Sequence, residues 1–302
     1  MDGVFGTHTV KTANGNLFVF FRETTNERDP SVPVDTRPLL YVRSTDHGVT
    51  WRSSAQLTGQ AFALGSTDRS DHLNEVYVGQ LRCEAATGGR PERVHLVWTV
   101  AGGGPDRHLH DYFHKNIYYA TFEPAALRFR NARGADLGRQ LNRTDMDRCR
   151  VALTPLTRPG GEQSPDYIQL AGWLGDGRPF VLWMTLDSNL LVPDMASVWT
   201  GSAWQTRQVA TGLQIREMER LGSTSWRVYA NRVGGPNIET CLLTSGQGWT
   251  PETVISTPTE VQRIELITGW RDPARILASG VSSARDVSVA DGDIYAAGLP
   301  PA

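Results

Sequence analysis

The chain has 302 residues, enough for one large core or two smaller ones, and its 30 basic and 32 acidic side chains leave a formal charge of −2. That balance supplies no field to gather nucleic acid or anionic lipid, so neither is expected as a partner. No apolar run approaches the roughly 20 residues that cross a bilayer, and the opening MDGVFGTHTV lacks the basic and apolar regions of a signal peptide; the expectation is a soluble chain, cytoplasmic or secreted with a leader removed.

Taken along the chain, NLFVFFRE at 16–23 is the first strongly apolar, β-forming run, and RVHLVWTV at 93–100, RPFVLWMT at 178–185, WRVYANRV at 226–233 and ARILASGV at 274–281 follow it. Each is preceded by another strand candidate and bounded by Gly, Pro, Asn or Asp turns, with no 3.6-residue stripe, which argues for an all-β fold. RVYANRV starting at Arg227 aligns with RILASGV starting at Arg275, a shift of 48, and the same shift carries Glu217 onto Glu265. A GxxW turn recurs at Gly48–Trp51, Gly201–Trp204 and Gly246–Trp249, each expected to anchor a Trp in the gap between sheets.

A period in the 40–50 range is the signature of propeller blades. The reading is a single β-propeller domain over 1–302, of four-stranded blades, with five blades favoured over six or seven. Their expected limits are 1–58, 72–147, 163–211, 213–257 and 259–302. The segment 136–165 contains DRCRVALTPLT and is either an outer strand of the second blade or part of an additional one. The three cysteines, Cys83, Cys149 and Cys241, lie far apart and are read as reduced thiols.

Residues 44–51 read STDHGVTW, in which Asp46 can accept backbone N–H bonds across a hairpin, Gly48 supplies an unusual backbone angle and Trp51 is expected to pack inward. This fits the Asp-box pattern SxDxGxTW and resembles the sialidase and BNR-repeat propellers. With NGNLFVFFRE, GRPERVHLVWT, HKNIYYATF and GDGRPFVLW, the order of segments is most similar to BNR-repeat carbohydrate proteins, which include polysaccharide lyases. Two departures make sialic acid hydrolysis secondary: FGTHTVKT stands where a sialidase carries an arginine-bearing first segment, and only one Asp box is intact.

In a four-stranded blade, loops entering the first strand and loops joining the second and third lie on one face, and Asp-box turns on the other. The long insertions at 24–38, 59–74, 101–113, 132–148 and 187–195 are all expected on the first of these faces, where they would frame a recognition surface. Starts of first strands would place His8, Asn74, Glu75, Tyr77, Tyr167, Gln169, Arg216, Glu217, Arg263 and Glu265 around that opening. Inner strands make unpaired charge costly unless it meets a partner or water. The alternatives are ion pairs between adjacent blades for Arg216, Glu217, Arg263 and Glu265, a satisfied turn histidine for His8, and wall aromatics for Tyr77 and Tyr167. The segment HLHDYFH brings His108, His110 and His114 close in sequence; His110 or His114 is read as a polar contact or a proton carrier, and His108 with His110 could reach one zinc ion only in a suitably curled loop. No cofactor or metal is expected, with zinc, and beyond it calcium, as the lesser alternative.

The resemblance implies an oligo- or polysaccharide partner and, as the leading activity, lyase cleavage of a uronic-acid-containing glycan. That chemistry removes the C5 proton beside a carboxylate and expels the O4 substituent, so it needs a group that neutralises the carboxylate, a base and an acid. Arg216 and Arg263 are candidates for the first role, and His8, His72, His110, Tyr77 and Tyr167 for proton transfer. Asn74, Glu75, His114 and Gln169 complete the candidate binding set. A glycoside hydrolase would instead use paired carboxyls from Glu75, Glu217 and Glu265, and a glycan-binding propeller would use aromatic faces without proton chemistry.

Overall fold

The strand-forming runs pair with their sequence neighbours through tight turns and build five antiparallel sheets. A computed structural model describes residues 4–23, 34–108, 113–154, 168–185, 193–232, 234–267, 275–280 and 292–299. The first sheet holds β1 (Val4–Lys11), β2 (Leu17–Glu23), β3 (Leu39–Ser44) and β4 (Arg52–Ser53), followed by the short helix α1 (Ser54–Thr58). The second holds β5 (Glu75–Val78), β6 (Arg82–Glu84), β7 (Arg93–Gly102), β8 (Phe113–Glu123), β9 (Arg128–Arg130) and β10 (Asp136–Gly138); helix α2 (Arg143–Asp147) leads to its last strand, β11 (Arg150–Ala152). The third holds β12 (Ile168–Trp173), β13 (Pro179–Met184), β14 (Pro193–Trp199) and β15 (Trp204–Thr211). The fourth holds β16 (Leu213–Arg220), β17 (Ser225–Arg232), β18 (Asn237–Thr244) and β19 (Gly248–Ser256), and the fifth β20 (Val261–Leu266), β21 (Ile276–Gly280) and β22 (Ile294–Ala297).

Neighbouring sheets meet through their inner strands: β12 packs on β7, the strand that pairs with both β5 and β6, and on β16, and β16 packs on β20. The cores lie between neighbouring sheets, as a β-propeller requires. Phe18, Phe20, Leu96 and Trp98 meet between the first and second sheets, whereas Val97, Tyr119 and Val181 meet between the second and third. Phe180, Leu182 and Trp226 fill the next gap, and Tyr229, Ile264 and Ile276 the one after. Leu96 and Trp98 therefore point one way along β7 and Val97 the other. A strand buried on both faces has no polar side to show, which is why RVHLVWTV and RPFVLWMT read as unbroken apolar runs. Each such buried side chain contributes about 1.5–3 kcal/mol.

The 48-residue shift is a true register: Glu217 opposes Tyr229 in the fourth sheet and Glu265 opposes Leu277 in the fifth. The bulges do not share it. One interrupts β16 between Ile215 and Glu217, and the other interrupts β20 between Val261 and Arg263. Arg216 is thus an extra, bulged residue, while Arg263 sits in the regular ladder opposite Ser279.

One open alternative is settled, and one expectation changes. DRCRVALTPLT supplies β11, which pairs with β8 (Arg150 opposite Tyr118), so it is an outer strand of the second sheet rather than part of an added one. The insertion at 132–148 runs through the β9–β10 hairpin and α2, and its later part is tied to the insertion at 59–74: the Gly65 amide donates to the Leu141 carbonyl at 3.0 Å and Arg143 Nη1 to the Asp68 carbonyl at 3.2 Å. Trp51 is 41% exposed rather than packed inward; its indole N–H donates to the Gly48 carbonyl at 3.0 Å. The rest of the Asp box behaves as read. The Asp46 carboxylate accepts from the Thr50 amide at 2.9 Å and from the Ser44 hydroxyl at 2.7 Å, and these bonds with that of the Thr50 hydroxyl hold its pKa down to about 2. Gly48 takes φ +92°, a backbone that side chains resist. The GxxW turns after the first do wedge their Trp between sheets, Trp204 lying edge-on to Tyr119 at 5.6 Å. No helix among the described residues is long and apolar enough to cross a membrane.

Candidate functional site

A cluster of aromatic, cationic and carboxylate groups forms at the end of the second sheet where β5 begins, β7 ends and β8 begins. Backbone bonds build it: the Arg37 amide donates to the Asn74 carbonyl at 3.3 Å and the Val76 amide to the Arg37 carbonyl at 3.0 Å. This strap lays the segment entering β3 along β5 and delivers the Arg37 guanidinium to Glu75 and Tyr77. The Tyr77 hydroxyl donates to Glu75 Oε2 at 3.2 Å and lies 3.5 Å from Arg37 Nη1. Arg37 Nε stands 4.0 Å from Glu75 Oε2, and Glu75 is only 1% exposed.

Arg22, near the end of β2, lies across the ring of Tyr77 with its guanidinium carbon 3.8 Å from the ring centroid. Its Nη1 is buried and makes no hydrogen bond, an arrangement that costs free energy until an acceptor arrives. His114 approaches Tyr77 from β8, with ring centroids 5.1 Å apart. His8 is half-buried on β1; burial, and then the charge of Arg22, lower its pKa and keep the imidazole neutral.

The neighbouring candidates serve as supports. Asn74 is buried, and its side-chain oxygen accepts from the Arg69 amide at 3.1 Å. His72 sits at φ +55° with Nδ1 2.9 Å from the Gly104 carbonyl oxygen. His110 and Tyr167 lie outside the described residues, as does the side chain of Gln169. His108 has Nδ1 3.4 Å from the buried carboxylate of Asp35. Among the described residues no group of three or more His, Cys, Asp or Glu side chains is placed to hold a metal ion.

The other predicted charges occupy a separate place, the inner strands. Glu217 is buried and accepts from Gln80 Nε2 at 2.6 Å, from the Met218 amide at 2.8 Å and from the Arg82 guanidinium. Its ion pair reaches from the fourth sheet to the second, not to the adjacent fifth. Burial lowers the pKa of Arg82 to about 10, against the opposing pull of Glu265. Arg216 donates from Nε to the Asn231 side-chain oxygen at 3.0 Å and also bonds Gln214, both in its own sheet. Arg263 and Glu265 are exposed.

Among the predicted residues, then, Glu75, Tyr77 and His114 come together, with His8 beside them through Arg22. Arg22 and Arg37 were not singled out from sequence. Arg22 closes an apolar strand in NLFVFFRE, a faint signal for a charge held at a rim. Arg37 carries none, because only the backbone strap brings it there.

No curated protein sequence matches the chain. Among solved structures, the PL25 ulvan lyase bound to -[GlcA(1-4)Rha3S]- is similar at a TM-score of 0.66 and 14% identity, over 97% of this chain and 64% of that one. The chain thus spans somewhat under two thirds of that lyase. The α-L-arabinofuranosidase of Fusarium graminearum, in complex with an iminosugar inhibitor, is similar at a TM-score of 0.52 and 10% identity, over 91% of this chain and 74% of that one. These likenesses concern the fold. A family model described as BNR repeat-containing family member matches residues 7–211. That match takes in the Asp box, the Arg22–Tyr77 cluster and three of the five sheets, and the chain belongs to the BNR repeat-containing family.

Proposed function

We propose that the protein is a carbohydrate-active propeller, and within that class a polysaccharide lyase that cleaves a uronic-acid-containing glycan by β-elimination. The observation that carries this reading is the buried, unbonded Nη1 of Arg22 set against the ring of Tyr77. A uronate carboxylate supplies the acceptor that this nitrogen lacks, and neutralising that carboxylate lowers the cost of negative charge developing at C5. Tyr77, between Arg22 and Arg37, takes the C5 proton or passes one to the departing O4, with His114 and His8 as the nearby proton carriers. As the C5–H bond breaks, its electron pair forms the C4–C5 double bond and the C4–O4 bond breaks with its pair on oxygen, which then takes up a proton.

A sialidase-like glycoside hydrolase is the second reading, and Glu75 beside Tyr77 is what favours it. Glu217 suits it poorly, since Gln80, Arg82 and the Met218 amide already occupy its oxygens. A glycan-binding propeller without catalysis is the third. Incubation with a panel of uronate-rich and sialylated glycans tests all three. The lyase yields an unsaturated uronate that absorbs in the ultraviolet, the hydrolase a new reducing end without that absorbance, and the binder neither.

A further inference from the structure

A cleft of about 530 Å³ opens between the second and third sheets, lined by Arg90, Arg93, Arg130, Arg133 and Arg178 with Trp199 in its wall. A second hollow of about 480 Å³ adjoins it, with Arg133 and Trp199 in the wall of both. The turns that border it, at Gly177 between β12 and β13 and at Gly201 between β14 and β15, place it at the Asp-box end of the propeller. His114 near the start of β8 belongs to the Tyr77 cluster, and Thr121 on the same strand lines the cleft. At about 3.3 Å per residue the two ends are roughly 23 Å apart.

The charges in the cleft do not balance. Arg93 and Arg90 share one carboxylate, that of Glu84, at 2.6 and 3.6 Å, and Glu84 also holds His95 at 3.1 Å. Arg130 pairs with Glu123 at 2.5 Å and Arg178 with Asp176 at 2.6 Å. The Arg133 guanidinium donates to the Ser202 carbonyl at 3.4 Å, and no carboxylate among the described residues pairs with it. Five guanidiniums therefore face three carboxylates in a chain whose overall charge is negative. Arg133 also lies over the Trp199 ring at 5.8 Å. Guanidinium forks match the oxygens of carboxylates and sulfates, and two adjoining hollows fit a chain carrying such groups at intervals.

We infer that this cleft is a second binding site, for the oxyanion substituents, sulfate ester or carboxylate, of an acidic saccharide. Its anionic character rests on the cleft alone, and its saccharide character rests on the function proposed above. A polymer held there and at the Tyr77 cluster would be gripped at two places, raising its effective affinity over that of a short fragment.

The test is titration calorimetry with a heparin tetrasaccharide, its fully desulfated counterpart, maltotetraose and a thymidine oligonucleotide. Arg133→Gln/Arg178→Gln removes two exposed charges, Arg22→Ala controls for the other site, and Ala132→Glu, which sets a carboxylate in the cleft, is an independent variant should the double one melt early. With Arg22→Ala as the background, so that the cleft alone is read, the heparin tetrasaccharide should bind, and at least tenfold more weakly once the double substitution or Ala132→Glu is added, while maltotetraose shows no binding. Retained affinity for the desulfated sugar assigns the contact to carboxylates, and its loss to sulfates. Undiminished binding by both cleft variants, or no binding in the Arg22→Ala background, overturns the site. Equal affinity for the oligonucleotide overturns its saccharide class. An absence of lyase product leaves every one of these readouts intact, so the two proposals fail separately.

Discussion

The guanidinium of Arg22 covers the ring of Tyr77 at 3.8 Å while one of its buried nitrogens makes no hydrogen bond. The stacking is worth about 0.5–2 kcal/mol, and it holds the cation where a ligand's carboxylate can complete its bonding. Folding leaves a polar group unsatisfied here, and the function proposed above assigns it a ligand carboxylate.

Arg22→Ala should lower kcat/KM on a uronate polymer by about 10²–10³, the usual effect of deleting a preorganised charge-stabilising donor. Its melting temperature should stay level or rise, since the variant no longer buries an unbonded N–H. Arg22→Lys should restore only part of the rate, because an ammonium cannot reproduce a planar fork. The release of unsaturated uronate, followed by absorbance, measures each.

Tyr77→Phe keeps the ring under Arg22 and removes the hydroxyl bonded to Glu75. A rate loss of about 10²–10⁴ is expected for a group that transfers a proton, with the circular dichroism spectrum and melting temperature little changed. A variant retaining half the wild-type rate would take Tyr77 out of the proton path.

His95 is fully buried, with Nδ1 2.6 Å from the Tyr119 hydroxyl and Nε2 3.1 Å from Glu84. Burial outweighs the pull of Glu84 and holds its pKa down to about 4, against 6.5 in the unfolded chain. Between these values the unfolded state takes up a proton that the folded state refuses. The resulting stability is complete above pH 6.5 and drains away toward pH 4, by up to about 1.4 kcal/mol per pH unit. His8, also held below its ordinary value, acts in the same direction. Urea midpoints from pH 7.5 to 4.5 should fall, and in His95→Phe this slope should shrink even though the starting stability is lower.

Glu217→Ala should destabilise by about 3–5 kcal/mol, because it strands the buried charge of Arg82. Replacing both, as Arg82→Met/Glu217→Leu, should recover most of that loss. Chemical denaturation of the two variants decides it: a double variant no better than the single one would mean that Gln80 and the Met218 amide, rather than the ion pair, carry the energy.

The fold was legible because its signals are local. Turn residues separate the β-forming runs, and the Asp-box hydrogen bonds span only Ser44 to Thr50. The 48-residue repeat was legible too, since Glu217 and Glu265 keep matching register. What that repeat could not convey was role: Glu217 is buried and braced to Arg82, whereas Glu265 is exposed. Arg216 and Arg263 lie 47 residues apart, one short of the repeat, so Arg216 falls in the bulge of β16 while Arg263 stands in the ladder of β20. Arg37 was unreadable for a different reason. Its place beside Tyr77 depends on backbone pairing between segments about 40 residues apart, and nothing in the neighbourhood of Arg37 encodes that partner.

The bridge from Arg82 and Gln80 to Glu217 joins two sheets that are not neighbours in the ring. It works as a spoke through the axle, fixing the hub's width independently of how the rim is closed. That bridge stands across the line a polymer would take from one end of the wheel to the other, so the function proposed above has a long glycan met across one face and released on the side from which it came.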